Sequence, residues 1–139
     1  MNGADKELFR KWIAKAEEDL LAVSKLLREE PVPASVVCFH CQQAAEKYLK
    51  ALLALYGRPA PKIHDLEVLV DATTECGAQL EGLLTPARRL TDYAVDSRYP
   101  DAPFDFTVEL AREAEQHAMA IKSAVLQVAE LLLAQDESA

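Results

Sequence analysis

Residues 34–56 read Ala34-Ser35-Val36-Val37-Cys38-Phe39-His40-Cys41-Gln42-Gln43-Ala44-Ala45-Glu46-Lys47-Tyr48-Leu49-Lys50-Ala51-Leu52-Leu53-Ala54-Leu55-Tyr56. Neither Gly nor Pro interrupts the stretch, so nothing inside it breaks a helix. Pro33 stands before it, and Gly57 and Pro59 follow, which is the punctuation of one helix start and stop. Gln42, Gln43, Glu46, Lys47 and Lys50 recur at helical spacing and form a single polar stripe. The remainder is apolar, aromatic or Ala. A helix that is apolar on most sides needs neighbours on most sides. The stretch is therefore expected to be the central helix of a bundle. At ~1.5 Å per residue it runs roughly 35 Å, enough to traverse a small domain.

The chain has 139 residues, which fits one domain over 1–139 with a packed core from 5 to 134. Half the residues are hydrophobic and only four are Gly, so a core can be built and helix is favoured over sheet. A net charge of -8 argues against a generic nucleic-acid coat but leaves room for a local basic pocket. No uninterrupted apolar run reaches the ~18 residues of a membrane span. The first residues, Met1 to Glu7, lack a signal-peptide pattern. Cys38, Cys41 and Cys76 are odd in number, and two lie on the apolar central helix, which fits a reducing cytoplasm better than a disulfide framework.

The flanking segments supply the companions. A first helix is expected from Asp5, as N-cap, to Arg28, with Leu8, Trp12, Ala16, Leu20, Val23 and Leu27 as its buried stripe. Lys15, Glu17, Glu18 and Lys25 fall mostly off that stripe and read as solvated. After residues 58–63, His64 or Asp65 caps a short helix through Leu66, Leu69 and Val70 that Gly77 ends, Asp65 being the better cap chemically. Residues 80–96 read as helix with a kink or break at Pro86, where Thr85-Pro86 suits a fresh start; Ala87, Leu90 and Ala94 face the core. Residues 97–106, with two prolines, form the main loop. Thr107 caps a last helix with Leu110, Ala114, Ala118, Ile121, Val125, Val128 and Leu132 inward, and residues 135–139 are expected to fray. No strand pattern of period two appears. The expected fold is all-α, an up-and-down bundle of four to five helices.

Three pieces in order resemble the HEPN family. They are the stretch from Gln42 to Leu53, Lys62-Ile63-His64-Asp65-Leu66, and Asp96-Ser97-Arg98-Tyr99-Pro100-Asp101, the last resembling the family's Arg-Tyr-Pro branch. The likeness covers roughly residues 8–134. It implies a helical bundle, usually a homodimer, with one of two activities. Some members are metal-independent endoribonucleases, often toxins, with an Arg-x(4–6)-His motif near the dimer seam. Others partner small nucleotidyltransferases in toxin–antitoxin-like systems and bind nucleotides. A third expectation, outside both, is an assembly protein with no ligand.

On chemistry, Arg98 is the first candidate, because a guanidinium is a fixed fork of donors suited to phosphate. Tyr93 and Tyr99 lie close in sequence and suit stacking on a base. Arg88 and Arg89 extend a positive patch if the helix brings them round. His64 joins as a nucleotide ligand beside Lys62 and Arg58. The plainer alternatives are an Arg98 paired with Asp96, Asp101 or Asp105, and a His64 ring bonded to nearby backbone. No His follows Arg98 at the ribonuclease spacing, but Arg112-Glu113-Ala114-Glu115-Gln116-His117 has it. A five-residue step puts Arg112 and His117 roughly 140° apart on a helix, so only a dimer seam brings such a pair together. The alternative is a solvated Arg112 and a His117 at the edge of the buried stripe. Cys38, His40 and Cys41 do not share one helix face, so no metal site is expected, and no cofactor motif appears. Lys47 and Lys50 read as surface charges paired along the helix with Gln43 and Glu46, or as a stripe facing a partner or cleft.

Overall fold

The computed structural model describes residues 1–80 and 82–138; the expectations for residues 81 and 139 lie outside the described residues. Among the described residues are five α-helices and no strand: α1 (Gly3–Leu26), α2 (Ala34–Leu55), α3 (Leu66–Glu75), α4 (Leu84–Asp96) and α5 (Val108–Ser138). The all-α up-and-down bundle is the one the sequence predicts. Helix α2 packs against each of the other four, and α4 also touches α3 and α5. Tyr48, Leu49, Leu52 and Leu53 are fully enclosed, and Ala44, Ala45 and Ala51 between them let neighbouring backbones come close.

Local chemistry sets the helix ends. Asn2, not Asp5, is the N-cap of α1, and Asp5 closes a reciprocal capping box with it (2.8 and 3.0 Å). The helix ends at Leu26, short of the expected Arg28. Ala16 and Val23 are buried as predicted, but Leu8 is 46% exposed and an acidic residue, Asp19, lies inside. Helices α2 and α3 stop alike. Gly57 (φ +69) and Gly77 (φ +110) take the left-handed conformation, so the N–H groups of residues 57, 58, 77 and 78 reach back to the last free carbonyls. Asp65 caps α3 by accepting from the Glu67 N–H (2.9 Å).

Two expectations are corrected. The helix expected from residue 80 is absent at residues 80, 82 and 83, and the fresh start expected beside Thr85-Pro86 forms: α4 runs from Leu84 to Asp96 with Pro86 in its first turn, where a missing N–H costs nothing. Helix α5 does not fray at residue 135. It continues through Ser138, where Lys6 of α1 pairs with Asp136 (2.6 Å). By length and composition alone α5 is long and apolar enough to cross a membrane, although no uninterrupted apolar run in it is that long. Its Ala111, Ala114, Ala118, Ile121, Val125 and Ala129 line the bundle core. The 97–106 loop is anchored at its far end, where Phe104 packs against Tyr93 (5.9 Å) and Phe106 (5.0 Å).

Candidate functional site

The polar stripe of α2 is not a solvated face. Gln42, Glu46 and Lys50 are 1%, 5% and 6% exposed, because α2 has neighbours on every side. Burial forces each polar atom to find a partner. Glu46 finds three. Gln42 Nε2 (3.2 Å) and His64 Nδ1 (2.9 Å) approach Oε1, and Lys50 Nζ (3.2 Å) approaches Oε2. Gln42 also donates to the His64 carbonyl (3.0 Å) and accepts from Gln43 (2.8 Å). Lys50 has the Trp12 ring as its other neighbour, 5.7 Å from the centroid. The expected Lys50–Glu46 pair thus forms, but inside the protein.

Above this network lies a cavity of about 270 Å³. Gln42 contributes from α2, His64 and Asp65 from the start of α3, Thr91 and Ala94 from α4. Arg98 and Tyr99 contribute from the loop. Thr91 holds the α3 entry in place by accepting from the Leu66 N–H (3.1 Å). The Arg98 guanidinium stands over the Phe39 ring, 5.0 Å from its centroid. Among the described residues no carboxylate lies within 4.0 Å of it, so pairing with Asp96, Asp101 or Asp105 does not occur. Tyr99 beside it is 59% exposed. The His64 ring bonds to Glu46 rather than to nearby backbone.

The remaining predicted nucleotide ligands are elsewhere. Arg88 and Tyr93 line a second cavity of about 500 Å³, with Arg89, Asp92, Phe104 and Asp105. Arg88 is held by a fork of two bonds to Glu67 (3.0 and 3.1 Å). Tyr93 is buried; desolvation raises its pKa, partly offset by the neighbouring Arg89. With Asp92 and Asp105 in its wall, this cavity is not a positive patch. Arg58 is taken up by the Ala72 carbonyl (3.2 Å) and Glu75 (3.0 Å). The five candidates therefore divide: Arg98, Tyr99 and His64 in one cavity, Arg88 and Tyr93 in the other.

The family model for the HEPN domain matches residues 9–130. The chain belongs to the HEPN family. Its fold is similar to the crystal structure of TT1696 from Thermus thermophilus, at 28% identity and a TM-score of 0.77, over 86% of this chain and 96% of that one. A comparison with curated proteins gives no match.

In this HEPN chain the Arg112-x4-His117 pair lies apart from both cavities. Arg112 is exposed. The buried Nε2 of His117 stands 3.4 Å from Glu113 Oε1, one turn back on the same helix, without making a hydrogen bond. One chain does not bring the two together. Among the described residues no group of three or more His, Cys, Asp or Glu side chains is placed to hold a metal. Burial pushes the Cys38 thiol up to about 12 and the Cys41 thiol higher still. Both behave as core residues.

Sequence reading missed Glu46 as the centre of a network, Phe39 under Arg98, and Asp19. Asp19 is a buried carboxylate that takes His40 Nδ1 (2.9 Å) and the Lys47 ammonium. Lys47 pairs there and not with Gln43. Glu17, read as solvated, accepts from the Tyr48 hydroxyl and pairs with Lys122 of α5 (3.1 Å). The signal was present for Glu46: a Gln-x3-Glu-x3-Lys ladder on a helix otherwise apolar all round leaves no solvent for the ladder to face.

Proposed function

We propose that this HEPN chain is a nucleotide- or RNA-binding module, acting as a homodimer with a small nucleotidyltransferase partner in a toxin–antitoxin-like system in the cytoplasm. The observation that carries the reading is Arg98. A guanidinium with no carboxylate partner among the described residues, beside an exposed Tyr and an exposed His on one cavity, offers donors for a phosphate and an aromatic face for a base. Arg88 and Tyr93 are left out of that constellation, and in the other cavity Arg88 is already held by Glu67 while Asp92 and Asp105 stand in the wall.

Thermal melting with a mononucleotide tests it. A ligand that binds only the folded chain at about 100 times its Kd adds roughly 2.7 kcal/mol, which raises the midpoint by several degrees. Arg98→Ala is expected to abolish the rise. No shift at millimolar nucleotide refutes the reading. Incubation with structured RNA in EDTA separates the ribonuclease alternative: cleavage that is lost in His117→Ala moves the function to Arg112 and His117. A monomeric mass by light scattering removes the homodimer and any site composed across it.

A further inference from the structure

His64 is the exposed end of a network whose other members are sealed. Its side chain is 74% exposed, whereas those of Glu46 and Lys50 are 6% and 8% exposed. Gln42 and Lys50 both donate to the Glu46 carboxylate, which is left as an acceptor toward the His64 ring. The ring nitrogen that carries hydrogen toward Glu46 is therefore Nδ1, and Nε2 is left for the cavity. A ring held at Nδ1 loses little freedom when Nε2 meets a ligand.

The cavity also limits what it can take. At about 270 Å³ it lies just below the usual range of small-molecule sites, and the buried Gln42 amide closes its floor. An internal phosphodiester carries one charge and needs a way out for chain on both sides. A terminal phosphate carries up to two charges and needs one way out. The charged groups facing His64 are Glu46, with Lys50 behind it, on α2; Asp65, the next residue, already engaged in capping α3; and Arg98 beyond α4. The α4 residues lining the cavity, Thr91, Ala94 and Val95, carry no charge.

We propose that Glu46 is a positioning residue that holds His64 as the second arm, opposite Arg98, of a clamp for a terminal phosphate, so that the site selects phosphomonoesters over internal phosphodiesters. The inference rests on the nucleotide-binding reading of the same cavity. When the imidazole is protonated, Nε2 donates to the anion; when it is neutral, it does not. Free nucleotides and the 5′-phosphate end of an RNA share this chemistry.

Calorimetric titration of the full chain with AMP, adenosine, the dinucleoside monophosphate ApA, and a short RNA with and without a 5′-phosphate reads the selectivity. A hydrogen bond to a charged group corresponds to about tenfold or more in affinity. Wild type is expected to prefer AMP to ApA by at least about that factor. His64→Gln, at an exposed position, is expected to remove most of the preference. Glu46→Leu combined with Lys50→Met is expected to do the same while leaving no unpaired buried charge. Sulfate, an anion with no sugar or base, should bind wild type at least about tenfold tighter than His64→Gln. An RNA that binds only with its 5′-phosphate identifies the chain end as a source; AMP binding alone identifies the free nucleotide. Equal affinity for AMP and ApA, RNA binding indifferent to the 5′-phosphate, or sulfate binding unchanged in His64→Gln overturns the clamp. Absence of any AMP binding, or AMP binding unchanged in Arg98→Ala, sinks the underlying reading instead.

Discussion

The Glu46–Lys50 pair makes an asymmetric prediction. Glu46→Leu leaves the Lys50 ammonium buried with only the Trp12 ring beside it. Removing one member of a buried ion pair costs about 3–5 kcal/mol, because the other charge remains without compensation. Lys50→Met is milder. Glu46 keeps the Gln42 and His64 donors, and the loss is about 1–3 kcal/mol, the size of one hydrogen bond to a charged group. Glu46→Leu with Lys50→Met removes both charges together, while Gln42 keeps the His64 carbonyl and the exposed His64 ring has water, and such replacements are often neutral or stabilising. The double variant should therefore be more stable than Glu46→Leu alone, with a coupling of more than about 2 kcal/mol in the double-mutant cycle. Urea unfolding followed by circular dichroism gives the free energies, with m held constant as the check that each variant still folds two-state. Trp12 is the single tryptophan, so its emission in the native state reports the loss of Lys50 independently of stability. Two single variants of equal cost whose effects simply add would refute the buried-pair argument.

Two further outcomes follow from the titratable groups. Burial raises the Glu17 pKa, but the Tyr48 hydroxyl and Lys122 outweigh it, and the net value falls below the ordinary 4.5. Glu17 is largely solvent-facing, so its contribution is small. A carboxylate with a depressed folded pKa stabilises above its unfolded value and loses that stabilisation as pH falls through the folded one. Tyr48→Phe should therefore cost about 1–2 kcal/mol at neutral pH and less below pH ~4, in parallel melts of the two proteins. With thiols of this kind, a disulfide reagent near neutral pH should titrate Cys76 in the native chain and leave Cys38 and Cys41 silent until denaturant is added; fast reaction of all three in the native state contradicts the enclosed core around α2.

What is legible along the chain depends on range. Gly57 and Gly77 end their helices as expected, since a left-handed residue after the last turn is a local matter. Thr107 caps α5, accepting from the Leu110 N–H (3.1 Å), and Asp65 caps α3, for the same reason. The buried stripe of α4 and the middle of that of α5 follow from 3.6-residue periodicity, while near the ends of α5 Ala111 and Ala129 are buried and Leu110, Val128 and Leu132 only partly so. Pro86 reads as a break only until its position is known, because the helix starts two residues before it. Leu8 reads as core, yet it faces solvent and the next residue, Phe9, packs against the core instead. The site is half legible. Arg98, Tyr99 and His64 come from two of the motif pieces, and they share one cavity.

The amino-acid sequence determined the helices, their caps, the primacy of residues 34–55 and membership of the HEPN family, because each depends on neighbours a turn or two away or on a pattern along the chain. Only the packing decided that Glu46 and Lys50 are inside, that Arg98 rests on Phe39 instead of an aspartate, and that Arg88 and Tyr93 open onto a different cavity. Those facts depend on how five cylinders are turned about their axes relative to one another. Rotating a helix by a fraction of a turn exchanges a solvated charge for a buried one while leaving every local signal in the chain unchanged.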